Sequence, residues 1–213
     1  VIDTGIDYNH PDLKGSYKGG YDFVDNDSDP MEATYQEWKD SGKPEFNGSS
    51  HYTYHGTHVS GSIAASKENS SPAAVKGVAP DVDLYAYRVL GPYGSGSTAA
   101  VMAGIDKSVT DGMDVINLSL GSNINDPLNP SSIAVNNAML SGVVTVVAAG
   151  NTGPNEKTLG SPGSAALGIT VGASDVSVTI PTITVNSGGQ EIKDMKLLAQ
   201  NFTDNLEDLQ NMT

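Results

Sequence analysis

An aspartate, a histidine and an asparagine mark out the chemistry available to this chain. Asp3 sits in Val1-Ile2-Asp3-Thr4-Gly5, His55 opens His55-Gly56-Thr57-His58-Val59-Ser60-Gly61, and Asn151 follows Ala148-Ala149-Gly150. Each lies among small residues, which let backbone approach a bound molecule closely. Glycine also permits the tight turns that place a side chain at a strand end. Imidazole accepts a proton near neutral pH. A carboxylate can orient that ring and stabilise its charged form. An amide N–H can donate to a developing oxyanion. Taken singly, each residue has an ordinary reading as a turn aspartate, a surface histidine or a Gly-Asn turn. Their order and setting give the combination its meaning.

The elements that must position them are legible from patterning. Val1-Ile2 reads as the end of a buried strand, with Asp3 at its carboxyl end, and Tyr21–Val24 as a second short strand. Asp25 to Tyr54 is rich in Asp, Ser, Gly and Pro and reads as a polar loop. His55 to Ala65 reads as a helix of small residues. Leu84–Leu90, Asp114–Leu120, Val143–Ala148 and Ile169–Val171 read as strands. Thr98–Val109 carries Val101, Met102, Ile105 and Val109 at helical spacing, and Ser131–Leu140 is a further helix. Strands alternating with helices, with apolar β-branched strands, predict a doubly wound α/β fold with a mostly parallel sheet covered on both faces. In such sheets, sites form at the carboxyl ends of strands. Asp3, Ser119-Leu120-Gly121 and Asn151 all follow strand signals, so they can meet at one edge with His55 facing them.

These motifs, in this order and with Gly77-Val78-Ala79-Pro80 between them, resemble the subtilisin-like serine peptidases over residues 1–174. The resemblance implies hydrolysis of peptide bonds, with Asp3 as triad acid, His55 as base and Asn151 as oxyanion donor. The family carries its nucleophile in a Gly-Thr-Ser-Met-Ala-type motif, and none occurs after Asn151. Ser161 and Ser164, in Gly160-Ser161-Pro162-Gly163-Ser164, fit a loop on the substrate side and match no nucleophile motif. The sequence is therefore expected to be a piece of an Asp-His-Ser endopeptidase, cut before the serine and unable by itself to form an acyl-enzyme. The alternative is a non-catalytic peptide-binding module that lacks the nucleophile.

Gly94-Ser95-Gly96 and Ser119-Leu120-Gly121 resemble the two family segments that flank an extended substrate, where backbone groups pair with a peptide strand. Ala148, Ala149 and Gly150 are expected to line one side of the primary specificity pocket. His58 is expected to pack or hydrogen-bond beneath the site. His51, His55 and His58 lack the helical His-Glu-x-x-His arrangement that zinc chemistry would need. No cofactor is expected for catalysis. Structural calcium is weighed at Asp12, in His10-Pro11-Asp12-Leu13, although the companion loop Ser66–Lys76 departs from the family pattern. It is also weighed at Asp22, Asp25 and Asp27, whose segment resembles a calcium-binding loop of some thermophilic members. A solvated acidic loop is the alternative.

After Ser174 the character changes. Val176–Val185 alternates Val, Thr and Ile, and Phe202–Met212 carries Leu206 and Leu209 among acidic residues. Residues 175–213 are expected to begin an inserted or appended β-rich module, similar in position to the protease-associated insertion of larger cell-envelope and secreted members.

The net charge of −14, from 25 acidic and 11 basic side chains, makes nucleic acid a poor partner. The absence of cysteine excludes disulfides and thiol catalysis. No stretch is long and apolar enough to span a membrane. The partners expected are a peptide or protein substrate and, in the longer protein, a pro-segment. Secretion or a cell-envelope location follows from the resemblance alone.

Overall fold

The computed structural model describes residues 1–40, 42, 52–174, 182–187 and 190–196. It divides into two units, one of Val1–Ser70 with Ala74–Gly172 and one of Ser71–Ala73 with Ala173–Thr213.

The larger unit alternates strands and helices. In chain order it holds β1 (Ile2–Asp3), β2 (Tyr17–Asp22), α1 (Tyr35–Asp40), α2 (His55–Ala64), β3 (Leu84–Arg88), α3 (Thr98–Thr110), β4 (Val115–Leu118), α4 (Pro130–Leu140), β5 (Val144–Ala148) and β6 (Ile169–Val171). The strands form two three-stranded sets, ordered β1-β3-β2 and β4-β5-β6, with all pairings parallel. β1 lies against β4, so the sets adjoin at the strand that ends in Asp3.

Strand β3 shows why the fold is doubly wound. Side chains alternate across a strand. Leu84 and Ala86 pack with Ile6, Leu13 and Ala64 on one face. Tyr87 and the following Val89 join Ile2, Val101, Ile105, Ile116 and Leu118 on the other. A strand apolar on both faces must be covered on both, and α2 and α3 do so from opposite sides. Helix α2 buries Gly56, Ser60 and Ala64 at intervals of four, and α3 buries Val101, Gly104, Ile105 and Ser108 along one stripe. Ser97 caps α3 by accepting from the Ala100 N–H, while Asn129 caps α4 with Pro130 at its first position.

Several boundaries differ from the sequence reading. β2 runs from Tyr17 to Asp22 instead of beginning at Tyr21. Its Gly19-Gly20 pair resembles a turn but lies in parallel register with Tyr85 and Ala86. The segment read as a polar loop contains the short helix α1.

In the smaller unit, β7 (Thr182–Ser187) and β8 (Gln190–Lys196) form an antiparallel pair. Most of the Val176–Val185 alternation and all of Phe202–Met212 lie outside the described residues.

Candidate active site

Asp3 and His55 meet although 52 residues separate them. His55 Nδ1 lies 2.7 Å from Asp3 Oδ1. A carboxylate only accepts, so Nδ1 carries the proton and donates it, which leaves Nε2 with its lone pair free. The same Oδ1 accepts from the Thr4 N–H at 2.7 Å. Asp3 is buried at 1% exposure, whereas the His55 side chain is half-exposed. The hydrogen bond that His55 donates to Asp3 is the main cause that lifts the ring above its ordinary value of 6.5, against the opposing effect of burial.

Backbone geometry brings the pair together. β1 ends at Asp3, and Gly5 turns the chain with φ of +118°. Helix α2 then seats its first turn on that turn, with the Gly56 N–H donating to Thr4 Oγ1 at 2.8 Å. A Cβ on Gly56 would stand 2.1 Å from the Gly5 carbonyl oxygen, so only glycine allows this approach.

His55 opens onto a cleft of about 440 Å³ that Asn151, Gly94, Ser95, Gly96, Ser119, Leu120 and Gly121 also line. The structure therefore gathers the proposed base, the proposed oxyanion donor and both proposed peptide-flanking segments around one space. Asn151 is exposed, and its amide makes no hydrogen bond among the described residues. Ala148 ends β5 half-buried and Gly150 follows it exposed, but neither forms part of the cleft wall. Leu90 and Tyr93, which the sequence reading passed over, do line it.

Ser161 also borders the cleft, but its hydroxyl is committed elsewhere. It bonds the carbonyl oxygens of Ile124 at 2.7 Å and Asp126 at 2.9 Å, and the residue is 2% exposed. Ser164 likewise donates to the Asp126 carbonyl at 2.9 Å. Both serines tie a loop down. His58 is exposed on α2 and does not lie beneath the site as expected. Three residues after His55, it points away from the face that α2 buries. His51 lies outside the described residues.

The acidic loop is organised around an arginine. Arg88 Nη1 lies 2.6 Å from both Asp22 Oδ2 and Asp25 Oδ2. Asp22 Oδ1 accepts from the N–H groups of Val24 and Asp25, and Asp27 Oδ1 from that of Asp29. The guanidinium supplies positive charge to Asp22 and Asp25, and Asp27 stands outside that pairing. Asp12 is different. It is buried beside Asn69, whose backbone and side-chain N–H groups both donate to it. Burial would raise its carboxyl, but the Asn69 hydrogen bonds prevail and hold it below the usual range. Among the described residues, no three His, Cys, Asp or Glu side chains cluster as metal ligands, and no helix is long and apolar enough to cross a membrane.

Comparison with known proteins agrees with this architecture. The chain is 46% identical over 214 residues to the minor extracellular protease Vpr of Bacillus subtilis (strain 168), covering 99% of this chain and 24% of that protein. It is 40% identical over 175 residues to the thermophilic serine proteinase of Bacillus sp. (strain AK1), covering 82% of this chain and 37% of that protein. A crystal structure of a cold adapted subtilisin-like serine proteinase matches with a TM-score of 0.62 at 33% identity, over 82% of this chain and 53% of that one. The chain thus spans roughly a quarter to a half of the length of these relatives. A family model described as the subtilase family matches residues 1–201, and the chain belongs to that family.

Proposed function

We propose that this chain supplies the acid, the base and the oxyanion donor of a serine endopeptidase whose nucleophilic hydroxyl lies outside these 213 residues. The observation that carries the reading is the 2.7 Å pairing of His55 with buried Asp3 at the edge of a cleft shared with Asn151. Asp3 fixes the ring tautomer, so Nε2 faces the reaction as general base. His55 takes the hydroxyl proton as the oxygen attacks the peptide carbonyl, then returns it to the leaving amine. The Asn151 amide donates to the oxyanion that forms. Gly94–Gly96 and Ser119–Gly121 offer backbone on two sides of the cleft, which suits an extended peptide held with little sequence preference. A purely peptide-binding module would use the same groove but gains nothing from a buried carboxylate paired with an imidazole.

Family membership supports secretion and maturation, and the change of character after Ser174 supports a separate module. The protein is secreted or held at the cell envelope, matures from a pro-segment, and carries residues 175–213 as part of a β-rich module inserted in or appended to residues 1–174. Structural calcium is proposed at Asp12, where a buried ionised carboxylate supplies hard oxygens. Calorimetry comparing Asp12→Asn with Asp25→Ala and Asp27→Ala checks this, and equal calcium affinity in all three counts against it.

The test of activity is labelling with a serine-directed fluorophosphonate. The 213-residue chain should remain unlabelled, and the complete protein should label in a manner abolished by His55→Ala. Stoichiometric labelling of the shorter chain at Ser161 or Ser164 would overturn the assignment of the nucleophile.

A further inference from the structure

Helix α2 has no side-chain cap of its own. Its N-cap residue is Tyr54, which offers the first turn no side-chain acceptor. The first N–H groups of a helix lack intrahelical partners and need acceptors from elsewhere. The His55 N–H goes to Thr53 Oγ1 at 3.1 Å and the Gly56 N–H to Thr4 Oγ1 at 2.8 Å. The Thr57 N–H goes to Glu32 Oε2 at 2.8 Å. Glu32 comes from the acidic segment before α1 and is 4% exposed.

The polarity of the surrounding hydrogen bonds defines what Glu32 must be. Thr4 Oγ1 already accepts from Gly56, and Thr57 Oγ1 accepts from the Asp7 N–H at 2.7 Å. Each hydroxyl therefore has its own proton to give. Both give it to Glu32, Thr57 at 2.5 Å to Oε2 and Thr4 to Oε1. With the Thr57 N–H, three donors converge on one carboxylate and none of them asks for a proton back. Only an acceptor-only group satisfies such a set.

These contacts join the two halves of the site. Thr4 follows Asp3 and donates its N–H to the same Oδ1 that His55 engages. Thr57 lies in the helical turn that His55 begins. Glu32 grips the residue next to the acid and one two positions after the base. We propose that Glu32 is a positioning residue, whose carboxylate clamps Thr4 to Thr57 and so sets the alignment of Asp3 with His55. It touches neither the cleft nor the reacting atoms. The proposal rests on the endopeptidase reading for its consequence, since alignment matters only if His55 transfers protons.

The test uses the complete protein. Glu32→Gln keeps the volume but turns an NH₂ group toward neighbours that are themselves donors. The expected result is a fall in kcat of roughly ten- to a hundredfold, as small misplacements of catalytic groups cost, with KM within about twofold. The His55 ring titration, followed by NMR, should move to lower pH, because a nearby negative charge is gone. Glu32→Asp should recover part of kcat. A lower Tm with kcat and the His55 titration unchanged would overturn the proposal and leave Glu32 as a helix cap alone. Should Glu32→Gln fail to fold, Thr57→Val removes one donor to Glu32 and should lower kcat, while Thr57→Ser, which keeps the hydroxyl, should not. Equal kcat in Thr57→Val and Thr57→Ser would also overturn it. His55→Ala separates the two readings. Full turnover without His55 would sink the endopeptidase assignment, whereas the effect of Glu32 on the His55 titration is read without reference to turnover.

Discussion

The carbonyl oxygen of Gly5 occupies the place where a side chain on Gly56 would begin, 2.1 Å from an ideal Cβ. This contact between the turn after β1 and the second residue of α2 brings the helix close enough for His55 to reach Asp3. It also explains why Gly5 and Gly56 sit in the two motifs that stand out in the sequence.

Gly56→Ala should therefore damage the site more than a helix-favouring substitution would suggest. Alanine raises helix propensity by about 1 kcal/mol over glycine, but the added methyl meets backbone, which cannot rotate away. Overpacking of this kind costs about 1–3 kcal/mol or more. The expected outcome is net destabilisation in denaturant unfolding, with a His55 titration moved toward the ordinary imidazole value. Stability equal to or above the parent would contradict the close packing of α2 on Gly5.

The contrast between Gly56 and Glu32 shows what the sequence made legible. Gly56 lies next to His55, so chain proximity flagged it. The periodicity of Val101, Ile105 and Val109 located α3 for the same reason, because a helix writes its buried face into local spacing. Glu32 lies in a segment whose Asp and Pro content reads as loop, and its partners are 28 and 25 residues away. No local pattern encodes that contact. One signal was available: a helix beginning at His55 without Ser, Thr, Asp or Asn at its N-cap had to find acceptors elsewhere. Similarly, the local sequence showed the carboxylates of Asp22, Asp25 and Asp27 but not their counter-charge, because Arg88 is brought in by the parallel pairing of β2 with β3.

Arg88 should be a large contributor to stability. Its side chain is buried, and so is that of Asp22, while the Asp25 side chain is 63% exposed. Arg88→Ala leaves the Asp22 charge buried without its partner, which costs about 3–5 kcal/mol. Adding Asp22→Asn to Arg88→Met should recover much of that loss, because no unpaired charge remains inside. The exposed Asp25→Ala should cost no more than about 1 kcal/mol. Urea unfolding of the four variants checks the ranking, and an Arg88→Ala loss no larger than that of Asp25→Ala would contradict it.

The pairing of His55 with Asp3 sets a sign for pH dependence. Their hydrogen bond favours the charged ring, so the folded pKa stands above 6.5. The stabilisation this adds is fully present below the unfolded value and is lost as pH rises through the folded one. With the ring half-exposed, the effect on stability is small. Catalysis runs in the opposite sense, because the base must be neutral to accept a proton. The acid limb of kcat/KM in the complete protein should accordingly have its midpoint above 6.5, and the ring titration should agree with it. Asp3→Asn should move that midpoint down. It should also lower kcat by about 10⁴-fold, since an amide can present a donor to Nδ1 and favour the tautomer that blocks Nε2. An acid limb that stays in place in Asp3→Asn would mean that another group governs the profile, and the assignment of His55 as the base would fail.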